Sequence, residues 1–539
     1  MTFRPCFFYV LLLSLFVTAT SVKAQYPPDN KGASVQKENV AQHSPSAAPV
    51  PSILGQKQTC ENGVAERYPC QDIDLLAFVS LSNIASGVPV FIRNTNDIWG
   101  WTDPETGTEY ALVGTSGGTA FYDLTDPTNP EKIAFLVTET NQSLWRDIKV
   151  YNNHAFIVSD LNGNHGMQVY DLTQLRTIEN PPDVVKASTL YTSIGSAHNV
   201  AINEETGYAY IVGANSSGVT CGGGLHMVNI QDPMNPTFER CFINPGRSYT
   251  HDVQCVTYKG PDTDYSGREI CLASNELILS IADVTDKANP VKISAVGYPG
   301  SSYTHQGWLS EDHRYFFMDD EFDEFRMLVP QTRTLIWDLE DLDDPVLASE
   351  YLAQTPTSDH NQYVRGNYLI QSNYESGVRI LDISSPETPI EIAYFDLFPE
   401  SDDLGFSDGT WSNYPYFASG ILIATSMNDG LFVLEPTSIT FPVANGTPQQ
   451  TLVAEAFMYP NPLSHHGLIS VTFARSEQVE IEVYDLLGRH VQSVFSGVVQ
   501  AGTNQEIPFE RKGLPAGLYH LRLVGETFSE TLPITVVGN

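Results

Sequence analysis

The chain has 539 residues, more than one ordinary domain needs. Its 34 prolines, 39 glycines, 11% aromatic and 17% charged residues suit packed β structure rather than long helices or disorder. Lys plus Arg number 28 against 64 Asp plus Glu, a formal charge of −36, which argues against nucleic acid and anionic membrane surfaces as partners because both need a cationic patch.

Residues 1–24 read as a signal peptide: Arg4, an apolar run from Phe7 to Val17, then Val22-Lys23-Ala24 with small residues where a peptidase cuts. That run is short for a bilayer, and no later stretch reaches the ~18 apolar residues a transmembrane helix needs. Residues 25–59, rich in Pro, Ser, Ala and Gln, read as a disordered linker. Six cysteines remain after the leader, an even number that favours disulfides in an exported chain. Sequence order suggests the local pairs Cys60/Cys70, Cys221/Cys241 and Cys255/Cys271 among 15 connectivities, with free buried thiols as the alternative.

From Ile73 onward, apolar runs of four to eight residues alternate with Gly, Asn, Asp and Pro clusters, so the body reads as all-β. The phrase AFYDLTDPTNP (120–130) recurs in altered form at 168, 226, 280, 335, 379 and, shortened, 431. Its anchors are Asp123, Asp171, Asn229, Asp283, Asp338, Asp382 and Glu435; from first to last is 312 residues in six intervals, a mean of 52. That period marks propeller blades, each anchor ending a strand and entering a Pro-locked turn. A second slot recurs upstream, occupied by Gly100, Arg146, His198, His251, His305, His360 and Thr410. Seven starts and seven ends predict a seven-bladed β-propeller over 60–436. The seventh unit lacks an outer strand, and residues 72–81 (DIDLLAFVSL) are expected to supply it and close the ring. A second linker spans 437–454. Residues 455–539 then read as a small Ig-like β-sandwich.

The C-terminal segment resembles the type A sorting domain of the type IX secretion system of Bacteroidetes. The matching features are Tyr459-Pro460-Asn461-Pro462, Asp485-Leu486-Leu487-Gly488-Arg489 and Pro515-Ala516-Gly517-Leu518-Tyr519. That resemblance implies delivery to the outer-membrane surface or the medium, with the secretion machinery as a partner. The body resembles the choice-of-anchor B family of LVIVD-type repeat propellers through Tyr68-Pro69-Cys70, Trp99-Gly100-Trp101, Trp145-Arg146-Asp147-Ile148-Lys149, the His198-Asn199 and His251-Asp252 starts, and the Asp-Pro-x-Asn-Pro turns. It supplies no activity.

Four consecutive units carry histidine in one slot, at spacings of 53, 54 and 55 residues. His198, His251, His305 and His360 are therefore expected to converge on the axis, where neutral imidazoles can ligate a transition metal. The competing reading is that each ring bonds a neighbouring blade's backbone. Asp147, Asn199, Asp252, Gln306 and Asn361, one residue on, are placed to orient the rings. Arg146, Asp147 and Asp252 are the ligand-binding candidates, Arg146 offering donors to an anion. Asp319-Asp320-Glu321 with Asp323-Glu324 is a candidate calcium cluster, though it reads more simply as a solvated acidic turn. Asp160-Leu161-Asn162-Gly163-Asn164 reads as a β-turn. Gly114-Thr115-Ser116-Gly117-Gly118 matches G-x-S-x-G, but it joins two strands with no helix after it, which argues against a hydrolase elbow. Two functions stay open: a surface module binding protein or glycan, and a metal-dependent enzyme at a histidine-lined channel mouth.

Overall fold

The computed structural model describes residues 50–401, 408–439, 441, 453–459, 461–473, 478–484, 489–498, 504–525 and 529–537. The leader, most of both linkers, and residues 460 and 485–488 of the sorting motifs lie outside them. Among the described residues, no helix is long and apolar enough to cross a membrane.

The body is built from β-sheets, seven of which share a plan of four antiparallel strands, with Asp183–Val185 added in parallel at the edge of the first. Their first strands are Thr95–Thr102, Arg146–Tyr151, Asn199–Asn203, Asp252–Thr257, Thr304–Leu309, Gln362–Arg365 and Thr410–Tyr414. Each first strand packs beside that of the next sheet, and the seventh packs beside the first. The period-2 pattern explains the stacking. Apolar residues on both faces of each sheet pack against both neighbours, which gives seven separate clusters between successive sheets. Ile98 and Val113 of the first sheet, for instance, meet Ile423 and Leu431 of the seventh.

The repeated acidic anchor has a local cause. Oδ1 of Asp123, Asp171, Asn229, Asp283, Asp338 and Asp382 accepts the backbone N–H two residues on, at 2.7–3.0 Å, which closes the turn after the third strand. In the seventh sheet the outer strand is Ile73–Ser80, paired antiparallel with Gly430–Pro436 from Ile73↔Pro436 to Ser80↔Gly430. The stretch read as a linker joins this edge too, through Ile53↔Phe78 and Gln58↔Leu75 bridges. Tyr68–Gln71 extends the sixth sheet by pairing with its outer strand. The three disulfides are 60–70, 221–241 and 255–271.

At the C-terminus, two antiparallel sheets face each other. One places His466–Phe473 between Val453–Tyr459 and Asn504–Glu510; the other runs in the order His490–Val498, Gln478–Tyr484, Gly517–Gly525, Ser529–Val536. Val479, Ile481 and Val483 alternate inward and share one core with Ile469, Val471 and Phe509 of the other sheet.

Candidate functional site

The four histidines do meet. His198, His251, His305 and His360 form an arc in which each ring centroid lies 4.3 Å from the next. Trp411 extends it at 4.5 Å from His360. The first strands of adjacent sheets run side by side, so equivalent positions become neighbours.

Three of the rings are held through Nδ1, whereas His305 Nδ1 is buried without a hydrogen-bond partner among the described residues. His198 Nδ1 lies 2.8 Å from Asp160 Oδ2, His251 Nδ1 3.0 Å from the His305 carbonyl, and His360 Nδ1 2.5 Å from the Trp411 carbonyl. Since a carbonyl only accepts, Nδ1 of His251 and His360 carries the hydrogen, and the lone pair falls on Nε2. His305 Nδ1 is 3.3 Å from Asp319 Oδ1. Burial, reinforced by the flanking rings, holds His305 well below the usual imidazole range. Burial brings His360 down to about 3. These two are neutral at physiological pH, the form a metal ligand needs.

A carboxylate joins the arc. One ligand atom each from His251, His305 and Glu321 lies within 4.8 Å of the other two, and all three residues are buried. Burial pushes Glu321 up to about 7, although the Tyr374 hydroxyl donates to its Oε1 at 2.7 Å.

The acidic run 319–324 is not a solvated turn, as its composition suggested. Asp319, Asp320, Asp323 and Glu324 are fully buried. Asp320 accepts from the Tyr298 hydroxyl and the amides of Ser302 and Tyr303, each at 2.6 Å. Asp323 pairs with Arg333 at 2.6 Å, and Asp319 accepts the Gln306 amide at 2.6 Å. Asp359, 1% exposed, has no hydrogen-bond partner on either oxygen. Burial, compounded by Asp319, Asp323 and Asp320, pushes its carboxyl well up. Backbone amides, the Tyr298 hydroxyl and the Arg333 guanidinium supply the donors to Asp319, Asp320 and Asp323.

Other candidates fall elsewhere. Arg146 is buried, its guanidinium bonded to the Thr115 carbonyl, Thr138 Oγ1 and His165 Nε2 at 3.0–3.3 Å, so it is tied into the core instead of facing an anion. Asp147 pairs with Lys149 at 2.6 Å and accepts the Val200 amide at 2.6 Å. Burial works against its charge, but Lys149 holds Asp147 low, whereas burial drives Asp97, 3.6 Å from the same ammonium, well up. Asp252 accepts its own following amide and lines a cavity beyond the rings.

Residues one step past the slot tie adjacent first strands together: Asp97 accepts the Ile148 amide, Asn199 donates to the His251 carbonyl, and Gln306 accepts the Gln362 amide. This pattern corrects the slot at both ends. Asp97 does for the first sheet what Asp147 does for the second, so Asn96, not Gly100, occupies the equivalent position. Likewise Trp411 receives the bond from His360 that His305 receives from His251, so Trp411 stands there, not Thr410. Gly100 lies further along its strand for a steric reason: a Cβ there would sit 2.1 Å from Tyr414 Cε1. Sequence reasoning missed Glu321, Asp160 and Tyr374 as partners of the rings. The available signal was an acidic run at the end of a second strand, where the fourth, sixth and seventh units carry Ser or Asn.

Residues 457–536 match the family described as "Secretion system C-terminal sorting domain". The chain thus ends in a type IX sorting domain and is an export substrate of that system, addressed to the cell surface or the extracellular space. No curated protein matches the chain significantly. Among solved structures, a crystal structure of a protein from Lactobacillus plantarum is similar over 78% of this chain and all of its own, at 11% identity and a TM-score of 0.40.

Proposed function

We propose that the chain is an exported seven-bladed β-propeller of the LVIVD-repeat, choice-of-anchor B kind, with domain limits 60–436 and 455–539 after a cleaved signal peptide, acting at the surface as a binding module with a transition-metal ion held at its histidine arc. The blade count is supported by seven sheets whose first strands touch in cyclic order and by the N-terminal strand that completes the seventh. One observation carries the metal: the mutual approach of His251, His305 and Glu321 within 4.8 Å. Contraction to the ~3.4 Å edge of a tetrahedral site would bring all three to bonding distance. Nδ1 of His251, fixed by a carbonyl, supplies the outer anchor such ligands use. Two imidazoles and one carboxylate suit zinc or iron and leave coordination positions open. Those open positions favour, as the second reading, metal-dependent chemistry on a small substrate.

The test is elemental analysis of the exported protein after dialysis. About one transition-metal ion per chain is expected, lost when His251 and His305 are both changed to alanine and retained when His198 alone is changed. Less than a tenth of an ion in the parent protein, with its fold intact, overturns the metal.

A further inference from the structure

Beyond the histidines, the first strands enclose a cavity of about 510 Å³. Its wall carries a continuous aromatic chain: Tyr414 to Trp99 at 5.1 Å between centroids, Trp99 to Tyr363 at 5.7 Å, and Tyr363 to Trp308 at 5.0 Å. Trp99, Trp308 and Tyr414 keep part of their surface accessible. The ionisable groups that share the lining are Lys149, Glu204, Asp252, Glu311 and His313, besides the tyrosines. Lys149 brings no free positive field, because its ammonium is paired with Asp147 at 2.6 Å. The same ammonium sits 4.5 Å from the centroid of Trp99, so a cation on an aromatic face is already part of this wall. Aromatic faces carry a negative quadrupole, and the exposed Glu311 adds a carboxylate to the lining, whereas burial pushes Glu204 and Asp252 up to about 7. Anions are repelled there. A neutral ligand gains only contact, while a soft, weakly hydrated cation gains contact, quadrupole and Coulomb attraction together.

We propose that this cavity binds a small alkylammonium ion, with Trp308 as the stacking face and Glu311 as the charge partner. The site is separate from the histidine arc, and its occupancy does not depend on a metal.

The experiment titrates the full exported chain with choline, with its uncharged isostere 3,3-dimethylbutan-1-ol and with glucose, read by tryptophan fluorescence and calorimetry. Saturable choline binding is expected, at least tenfold tighter than the isostere and weakened by salt. Trp308→Ala should cost tenfold or more, and Glu311→Gln, at an exposed position, should weaken choline but leave the isostere unchanged. Trp308→Phe, which keeps a ring in place, should give a smaller loss, so the inference stays testable if the alanine variant does not fold. Equal binding of choline and its isostere, binding of glucose alone, or no saturable binding of any probe overturns the proposal.

Discussion

The strand Ile73–Ser80 is the most telling place to perturb the fold, because it reaches the seventh sheet from the opposite end of the repeat region. Its large apolar side chains Ile73, Leu75, Leu76, Phe78 and Val79 are all 5% exposed or less. At roughly 1.5–3 kcal/mol per fully buried side chain, they contribute on the order of 10 kcal/mol, comparable with the whole stability of a typical domain. Removing residues 60–82 should therefore abolish cooperative unfolding of the body rather than lower its midpoint slightly. A gentler perturbation is Phe78→Ala. The ring is fully buried, 4.7 Å from Phe432 and 6.2 Å from Tyr68, and its loss should cost about 3–5 kcal/mol. Chemical denaturation followed by tryptophan fluorescence is the assay. Trp99 and Trp101 lie in the first sheet and Trp411 in the seventh, and Thr95 N donates to the Met427 carbonyl across that junction. Loss of the strand should thus be felt on both sides of the junction. A deletion protein that melts cooperatively at the parent midpoint would refute the reasoning, and a Phe78→Ala cost below about 1 kcal/mol would show that the strand is not part of the core.

Gly100→Ala forces a Cβ to within 2.1 Å of Tyr414 Cε1 and should destabilise the body by about 1–3 kcal/mol while disturbing the Trp99–Tyr414 contact, seen as altered near-ultraviolet circular dichroism. His226 is buried, with Nε2 2.7 Å from the Tyr191 hydroxyl, and burial lowers it to about 4. The folded state then binds fewer protons than the unfolded one between pH 6.5 and 4. The stability His226 contributes is whole above 6.5 and lost as pH falls, by up to ~3 kcal/mol; denaturation midpoints for wild type and His226→Gln should converge over that window. Removing residues 455–539 should leave the body folded but retained in the periplasm, as cell fractionation would report.

The repeat was legible because its signal is local: an Asp or Asn that closes its own turn must sit at one position in every unit. The disulfides were legible for a similar reason; Cys255 and Cys271 are directly opposed on neighbouring strands of one sheet. Register was harder to read. The first unit carries an irregularity between Thr95 and Ile98, so the conspicuous Trp99-Gly100-Trp101 displaced the true equivalent, Asn96. Burial of charge was not legible at all. Asp319 and Glu324 look like surface residues in sequence, but inside the fold Asp319 accepts the amide of Gln306 on the neighbouring strand and Glu324 accepts the amide of Arg333. Arg146 misled in the same way: its partners Thr115 and His165 lie 31 and 19 residues away.

The central claim is a metal on the axis of seven sheets. An experimental structure of the exported protein, with anomalous scattering recorded above and below the absorption edge of the metal found in it, tests both parts at once. The account predicts seven four-stranded sheets around one axis and a single anomalous peak about 2.0–2.2 Å from nitrogens of His251 and His305 and from an oxygen of Glu321. Six or eight sheets, or a peak bonded to other residues while the histidine arc holds only water, would contradict it.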